Sequence, residues 1–290
     1  MEENIMRKKD QLKTITPELI RQYSIYLQEQ EKSTATIEKY IHDLTALYKY
    51  LEGQELTKTA LLRWKGHLTE EYAPSSINTM LAAMNGLLDF CGLAALKVKP
   101  LKIQKSLFSD GEKELTREEY IRLIHAAEQD GSERLSLVIQ TICATGIRVS
   151  ELQFITAEAI QSGRAEISNK GKRRTIFLPG KLCRLLKKYL KKEKRTTGAV
   201  FVTRTGKPLN RSNIWRDMKA LCESADVEPE KVFPHNLRHL FARTYYTLEK
   251  DLSRLADILG HSNVNTTRIY TMESGTVHAR QMERIGLIIT

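Results

Sequence analysis

The sequence predicts a mainly α-helical protein with a small β-sheet, divided into two domains. Three observations carry that reading. Apolar residues recur at helical spacing over most of the chain, strand-like alternation is confined to a few short stretches, and periodicity lapses between residues 96 and 113. At 290 residues the chain is long enough to bury two cores of ordinary size.

Four segments open the chain with helical periodicity: Pro17 to Glu31, Ser33 to Gly53, Leu56 to Tyr72 and Pro74 to Gly92. Thr16-Pro17, Gly53 and Ala73-Pro74 punctuate them as start and stop signals, so residues 1–96 predict a helical bundle. Tyr40, Leu44, Leu47, Tyr48 and Leu51 form one apolar stripe, and Leu81, Met84, Leu87, Leu88 and Cys91 another; both read as core. Lys58, Arg63, Lys65 and His67, with Ser75, Ser76 and Asn78, are either solvated surface groups or contacts to a phosphate backbone. Residues 97–113, with Lys97, Lys99, Pro100, Lys102, Lys105 and Gly111, read as an exposed basic linker.

Residues 114–290 form the second domain. Thr116 and Glu119 make a capping box for a helix to about Glu128, and Ser132 to Ala144 is a second helix stopped at Thr145-Gly146. Arg148 follows that stop with Glu151 three residues on, a spacing that serves a surface ion pair or a held guanidinium. Ala165–Ser168 and Thr175–Leu178 flank Asn169 to Arg174 as a hairpin with a basic turn, where a lysine is a mobile donor or a solvated charge. Residues 164–195 carry thirteen basic side chains against Glu166 and Glu193. In the helix from about Lys181 the buried face is Leu182, Leu185, Leu186, Tyr189 and Leu190, and the lysines turn outward as a solvated face or a platform for phosphates. Ala199–Thr203 predicts a short strand, and Arg211–Ser224 a helix whose start offers Arg211, Ser212, Asn213 and Arg216 to a phosphate backbone.

Val232 to Thr271 holds the densest chemistry. Pro234 marks a helix start, which puts His235 and Arg238 on one face of its first turns. Leu252, Leu255, Ile258 and Leu259 follow at helical spacing, Gly260 stops the helix, His261 lies just past the stop, and Tyr270 follows Thr266, Thr267 and Arg268. Histidines, an arginine and a tyrosine together predict a site for an anion, a phosphate above all, because a guanidinium fork matches phosphate oxygens.

The composition agrees. The 46 Lys and Arg against 35 Asp and Glu give +11 and a pI near 9.4, which favours a polyanionic partner, nucleic acid before an anionic membrane. No apolar run approaches the roughly 18 residues of a membrane span, and the charged start lacks a signal peptide's apolar core, so a cytoplasmic protein is expected. Cys91, Cys143, Cys183 and Cys222 are too widely spaced for a zinc site and read as reduced. Gly206-Lys207 is followed by Pro208, so no phosphate-binding P-loop forms there, and no His-Glu-x-x-His occurs; neither nucleotide nor metal cofactor is expected.

Taken as a set, the ordered residues Arg148, Lys170, His235, Arg238, His261 and Tyr270 resemble the tyrosine recombinase (phage integrase) family. The segments Ala-Thr-Gly-Ile-Arg-Val-Ser-Glu-Leu, His-Asn-Leu-Arg-His-Leu-Phe-Ala, Leu-Gly-His and Thr-Arg-Ile-Tyr match its motifs, and the similarity runs over almost the whole chain. The resemblance implies a SAM-like core-binding domain followed by an α+β catalytic domain, and site-specific DNA cleavage and rejoining through a 3′-phosphotyrosyl intermediate. Tyr270 is then the nucleophile, Arg148, Arg238 and His261 stabilise the phosphate, His235 handles the phenolic proton, and Lys170 is the general acid. Lys172 lies two residues from Lys170 on the same turn; Lys170 is favoured because it directly follows the first strand. The implied partners are double-stranded DNA with an inverted-repeat core site and further copies of the chain in a tetramer on that DNA, with Leu287 to Ile289 buried against a neighbour. Two alternatives stand beside this reading. One is a type IB topoisomerase-like relaxing enzyme. The other is a catalytically silent DNA-binding protein, whose mark would be the loss of Arg148, Arg238 or Tyr270, all of which are present.

Overall fold

Thr16 opens the first helix as a side-chain cap: its hydroxyl accepts the Leu19 N–H at 3.1 Å, and Pro17, which has no N–H to satisfy, takes the first helical position. The computed structural model describes residues 14–103, 113–169, 172–261, 263–271 and 283–285. The chain divides into two units, Met1–Lys105 and Ser106–Thr290.

The first unit contains α1 (Pro17–Glu29), α2 (Thr34–Leu51), α3 (Lys58–Glu71) and α4 (Pro74–Phe90). Ser33 caps α2 and Thr57 caps α3 as Thr16 caps α1. Leu44, Leu47, Leu61, Trp64, Leu81 and Met84 are all fully buried, so the stripes read from the sequence are the core. Gly86 has a specific role in it. A Cβ there would overlap the hydroxyl of Tyr23, itself 2% exposed, so α1 and α4 approach as they do because position 86 has no side chain.

The basic stretch after the bundle begins as part of it. Val98 is buried, and its N–H and C=O bond the side-chain amide of Asn85, both at 2.9 Å. Asn78 bonds both backbone groups of Leu101 in the same way, Lys65 donates to the Lys99 carbonyl at 2.8 Å, and Lys58 donates to the Lys97 carbonyl. Two asparagine amides thus do for this extended segment what a neighbouring strand would do. Lys58, Lys65 and Asn78, which the sequence offered to DNA, hold their own chain here.

The second unit begins with the expected capping box, Thr116 accepting from Glu119 N at 3.1 Å and Glu119 accepting from Thr116 N at 2.8 Å. It caps α5 (Arg117–Gln129), which packs on α6 (Glu133–Thr145). A 3-10 segment (Val149–Phe154) and α7 (Ala157–Ser162) lead to an antiparallel hairpin of β1 (Arg164–Asn169) and β2 (Lys172–Phe177). Then come α8 (Gly180–Lys192), α9 (Arg211–Ala220), α10 (Pro234–Glu249) and α11 (Leu252–Leu259). Buried Val138, Ile139 and Ile142 of α6 lie at the centre of the core, with α5, α8, α9 and α10 packed around that helix.

Two expectations change. Ala199–Thr203 forms no ladder: Ala199 makes an isolated bridge to Thr156 and Val202 one to Pro208, while the Arg195 guanidinium takes the Ala199 and Val200 carbonyls that a neighbouring strand would need. The helix from Arg211 ends at Ala220 and gives way to a chain of turns before Asp226. Among the described residues no helix is long and apolar enough to cross a membrane.

Replacing Gly86 with Ala should destabilise the first unit by about 1–3 kcal/mol, the usual effect of overpacking a rigid core. Urea unfolding of the purified chain checks this, and an unchanged midpoint would mean that α1 and α4 have room to spare.

Candidate active site

Two glycines and a proline set the geometry. Gly146 ends α6 in the left-handed conformation (φ 64°), and Gly260 ends α11 in the same way (φ 65°). Both terminations leave carbonyl oxygens without helical partners. Pro234 starts α10, and one turn later Arg238, 1% exposed, fills the space between them. Its Nη1 donates to the Gly146 carbonyl at 2.5 Å and its Nη2 to the Leu259 carbonyl at 2.7 Å. Position 146 tolerates no Cβ either, since one would overlap the ring of Phe241.

Arg238 Nη2 also lies 3.1 Å from His261 Nε2. A guanidinium has only donors, so Nε2 accepts; the imidazole proton is then on Nδ1, which donates to Thr267 Oγ1 at 2.9 Å. This arrangement requires a neutral ring. Burial, followed by the charges of Arg238, Arg148 and Arg174, lowers the His261 pKa to about 4, which keeps it neutral.

Tyr270 sits on a 3-10 turn (Arg268–Thr271) and is 4% exposed, packed with Ala242, Leu255 and Leu259. His239 meets its ring edge-on at a centroid distance of 4.8 Å, and His261 lies nearly parallel to it at 6.2 Å. Burial raises the phenol pKa, while the charge and hydrogen bond of Arg238 and the charge of Arg148 pull it back. His235 packs edge-on against His239, with ring centroids 4.5 Å apart. Burial and neighbouring positive charge lower the pKa of both rings, His239 to about 4.

Arg148 reaches the site from the start of the 3-10 segment that follows α6. The buried carboxylate of Glu151 accepts the Arg148 backbone N–H at 2.7 Å and its Nη1 at 3.2 Å, so the three-residue spacing is a held guanidinium. The same carboxylate accepts Arg174 Nη2 at 2.7 Å, and Arg174 Nη1 donates to the Leu259 carbonyl.

Arg148, His235, Arg238, His261 and Tyr270 are therefore neighbours. Pairing of Asn169 with Lys172 leaves Lys170 and Gly171 as the connection between the strands, and Lys170 lies outside the described residues. Leu287 to Ile289 also lie outside them. Three participants were missed from the sequence: Arg174, His239 and Thr267. Arg174 had a legible signal, since alternation along β2 puts it on the same face as buried Ile176. His239 had one too, four residues from His235 and so above it on α10.

The phage integrase family profile matches residues 113–275, and that of the phage integrase N-terminal SAM-like domain matches residues 20–92. The tyrosine recombinase XerA of Pyrococcus furiosus is 31% identical over 287 residues, covering 95% of this chain and 96% of that protein. Among solved structures, the XerH site-specific recombinase bound to its difH substrate superposes with a TM-score of 0.67 at 22% identity, covering 87% of this chain and 79% of that one. A lambda integrase tetramer bound to a Holliday junction gives 0.70 at 18% identity, covering 87% and 76%. The two structures share the fold, and the full-length sequence likeness with the profile matches carries the assignment: this chain belongs to the phage integrase family of tyrosine recombinases.

Proposed function

We propose that this tyrosine recombinase cuts and rejoins double-stranded DNA at a specific site through a 3′-phosphotyrosyl intermediate formed on Tyr270. The observation that carries the reading is the position of Tyr270, a buried phenol beside the Arg238 guanidinium with Arg148 contributing a second positive charge. A phosphodiester gains negative charge on its oxygens as the tyrosine adds, and fixed guanidinium groups are suited to that change. Tyr270 Oη attacks phosphorus, the P–O5′ bond breaks, and its electron pair leaves with O5′, which Lys170 protonates. The phenolic proton passes to His235, whose ring is kept neutral by burial and nearby positive charge and whose protonated form the phosphate's charge then favours. His261 accepts from Arg238; a phosphate anion beside it favours the protonated ring, which then donates to a phosphate oxygen. The ester conserves the bond, so attack by a different 5′-hydroxyl completes exchange without a nucleotide.

The partner DNA on this reading carries an inverted repeat, bound by four copies of the chain. The net charge of +11 favours such a partner, and the XerH and lambda integrase structures hold DNA. Residues 1–96 serve as the core-binding domain, and 114–290 as the catalytic domain with its exchange tail.

The target can be obtained by selecting bound duplexes from a random DNA library, and a nicked suicide duplex built on it traps the covalent complex. Tyr270→Phe should bind that duplex normally and form no adduct; an adduct with the variant would remove Tyr270 as nucleophile. Deleting residues 286–290 should spare binding to a single site and impair strand exchange, with undiminished exchange contradicting a role for the tail. The histidines predict a pH dependence. His239 and His261 have folded pKa values of about 4 against an ordinary 6.5, so the unfolded chain takes up protons first as pH falls. Their contribution to stability is full above about pH 6.5 and disappears towards pH 4. Thermal midpoints should fall over that range, and His239→Gln should flatten the fall; an equal slope in the variant would contradict the neutral ring.

A further inference from the structure

Arg174 is a cationic group in this site that the mechanism above leaves unused. It is half-buried on β2, four residues after Lys170, and its two terminal nitrogens reach different parts of the fold. One holds Glu151, whose carboxylate also holds Arg148 through both backbone and side chain. The other shares the Leu259 carbonyl with Arg238, immediately before the Gly260–His261 corner. Gly260 is fitted to it, because a Cβ at that position would overlap the Arg174 guanidinium.

Structure alone gives Arg174 little reason to be there. Glu151 already has Arg148 as its counterion, so Arg174 adds a third guanidinium to a corner with one carboxylate. Burial and the charge of Arg148 both work against its protonated form, with Glu151 in its favour. Its Nε–H is buried without a hydrogen-bond partner, a further cost. An excess of positive charge held at a cost is useful where an anion is to be bound.

We propose that Arg174 is a positioning residue for the cleavage reaction, fixing the Arg148 clamp through Glu151 and the Arg238–His261 clamp through the Leu259 carbonyl, so that both meet the scissile phosphate at once. It touches no reacting atom. The inference rests on the phosphotyrosyl reading, and it specifies what the two arginines depend on. Lysine in its place keeps a charge but has no fork to span Glu151 and Leu259; methionine keeps only the length.

The test is single-turnover cleavage by the full chain on the nicked suicide duplex, with Arg174→Lys and Arg174→Met compared on three versions of the scissile linkage. On the ordinary phosphate, Arg174→Met should be slower by roughly 100-fold and Arg174→Lys by about 10-fold, the range that a small misplacement of reacting groups produces. Duplex affinity and thermal midpoint should stay near wild type. A methylphosphonate linkage carries no charge for the clamps to meet, so both deficits should shrink sharply there. A 5′-bridging phosphorothiolate, whose sulfur leaves without a general acid, should leave them unchanged. Equal deficits on phosphate and methylphosphonate would make Arg174 only a structural support and overturn the proposal. Rescue by the phosphorothiolate would also overturn it, because Arg174 would then act through the hairpin lysine. If Arg174→Met fails to fold, the charged Arg174→Lys carries the same comparison. Failure of the wild-type chain to form any adduct on the phosphate duplex would instead defeat the phosphotyrosyl reading itself.

Discussion

A guanidinium removed from water must find acceptors, and Arg238, 1% exposed, finds them in uncharged groups. The Gly146 and Leu259 carbonyls lie at the C-terminal ends of α6 and α11, where helix dipoles present their negative ends, and the His261 ring supplies a lone pair. Much of the site follows from this choice of partners. Both glycine stops aim the carbonyls, the ring must be neutral to accept, and α10 must carry Arg238 to within reach of all three acceptors. A carboxylate in the same place would have satisfied the guanidinium more cheaply and cancelled its charge. The carbonyls satisfy it and leave the charge in place, with burial lowering its pKa only to about 10.

The remaining charges follow the same logic. Arg148 and Arg174 share one carboxylate, Glu151, and the three imidazoles are held neutral by burial and by the arginines around them. The corner is therefore positive, with its imidazoles neutral and the Tyr270 phenol buried beside them. Tyr270 pays for that position in a raised pKa, which Arg238 only partly offsets. On the proposed reading, a phosphodiester would meet that positive excess, and its own charge would favour the protonated histidines.

Much of this was legible in the sequence because the chain marks its turns clearly. Gly146, Gly260 and Pro234 fix where helices end and begin, and Arg148, His235, Arg238 and His261 are placed by their distance from those marks. Arg174 was not legible in the same way. It stands in a run of basic residues that reads as a solvated turn, and only strand alternation against Ile176 distinguishes it from exposed Arg173. The break between α10 and α11 was hidden too, since Lys250 takes the left-handed conformation (φ 55°) where glycine would have announced it. Lys58, Lys65 and Asn78 read as solvated groups or DNA contacts because their acceptors, backbone carbonyls of Lys97, Lys99 and Leu101, lie more than twenty residues away in the chain. Such non-local pairings leave no periodic trace.

The most direct measurement of the account is the identity of the residue that carries the DNA. Tyr245 and Tyr246 pack against the same small cluster as Tyr270, so proximity alone offers three phenols. Only Tyr270 is set against Arg238, His239 and His261. Proteolysis of the trapped covalent complex followed by mass spectrometry of the nucleotide-bearing peptide should place the phosphodiester on Tyr270. An adduct mapped to Tyr245 or Tyr246 would contradict it.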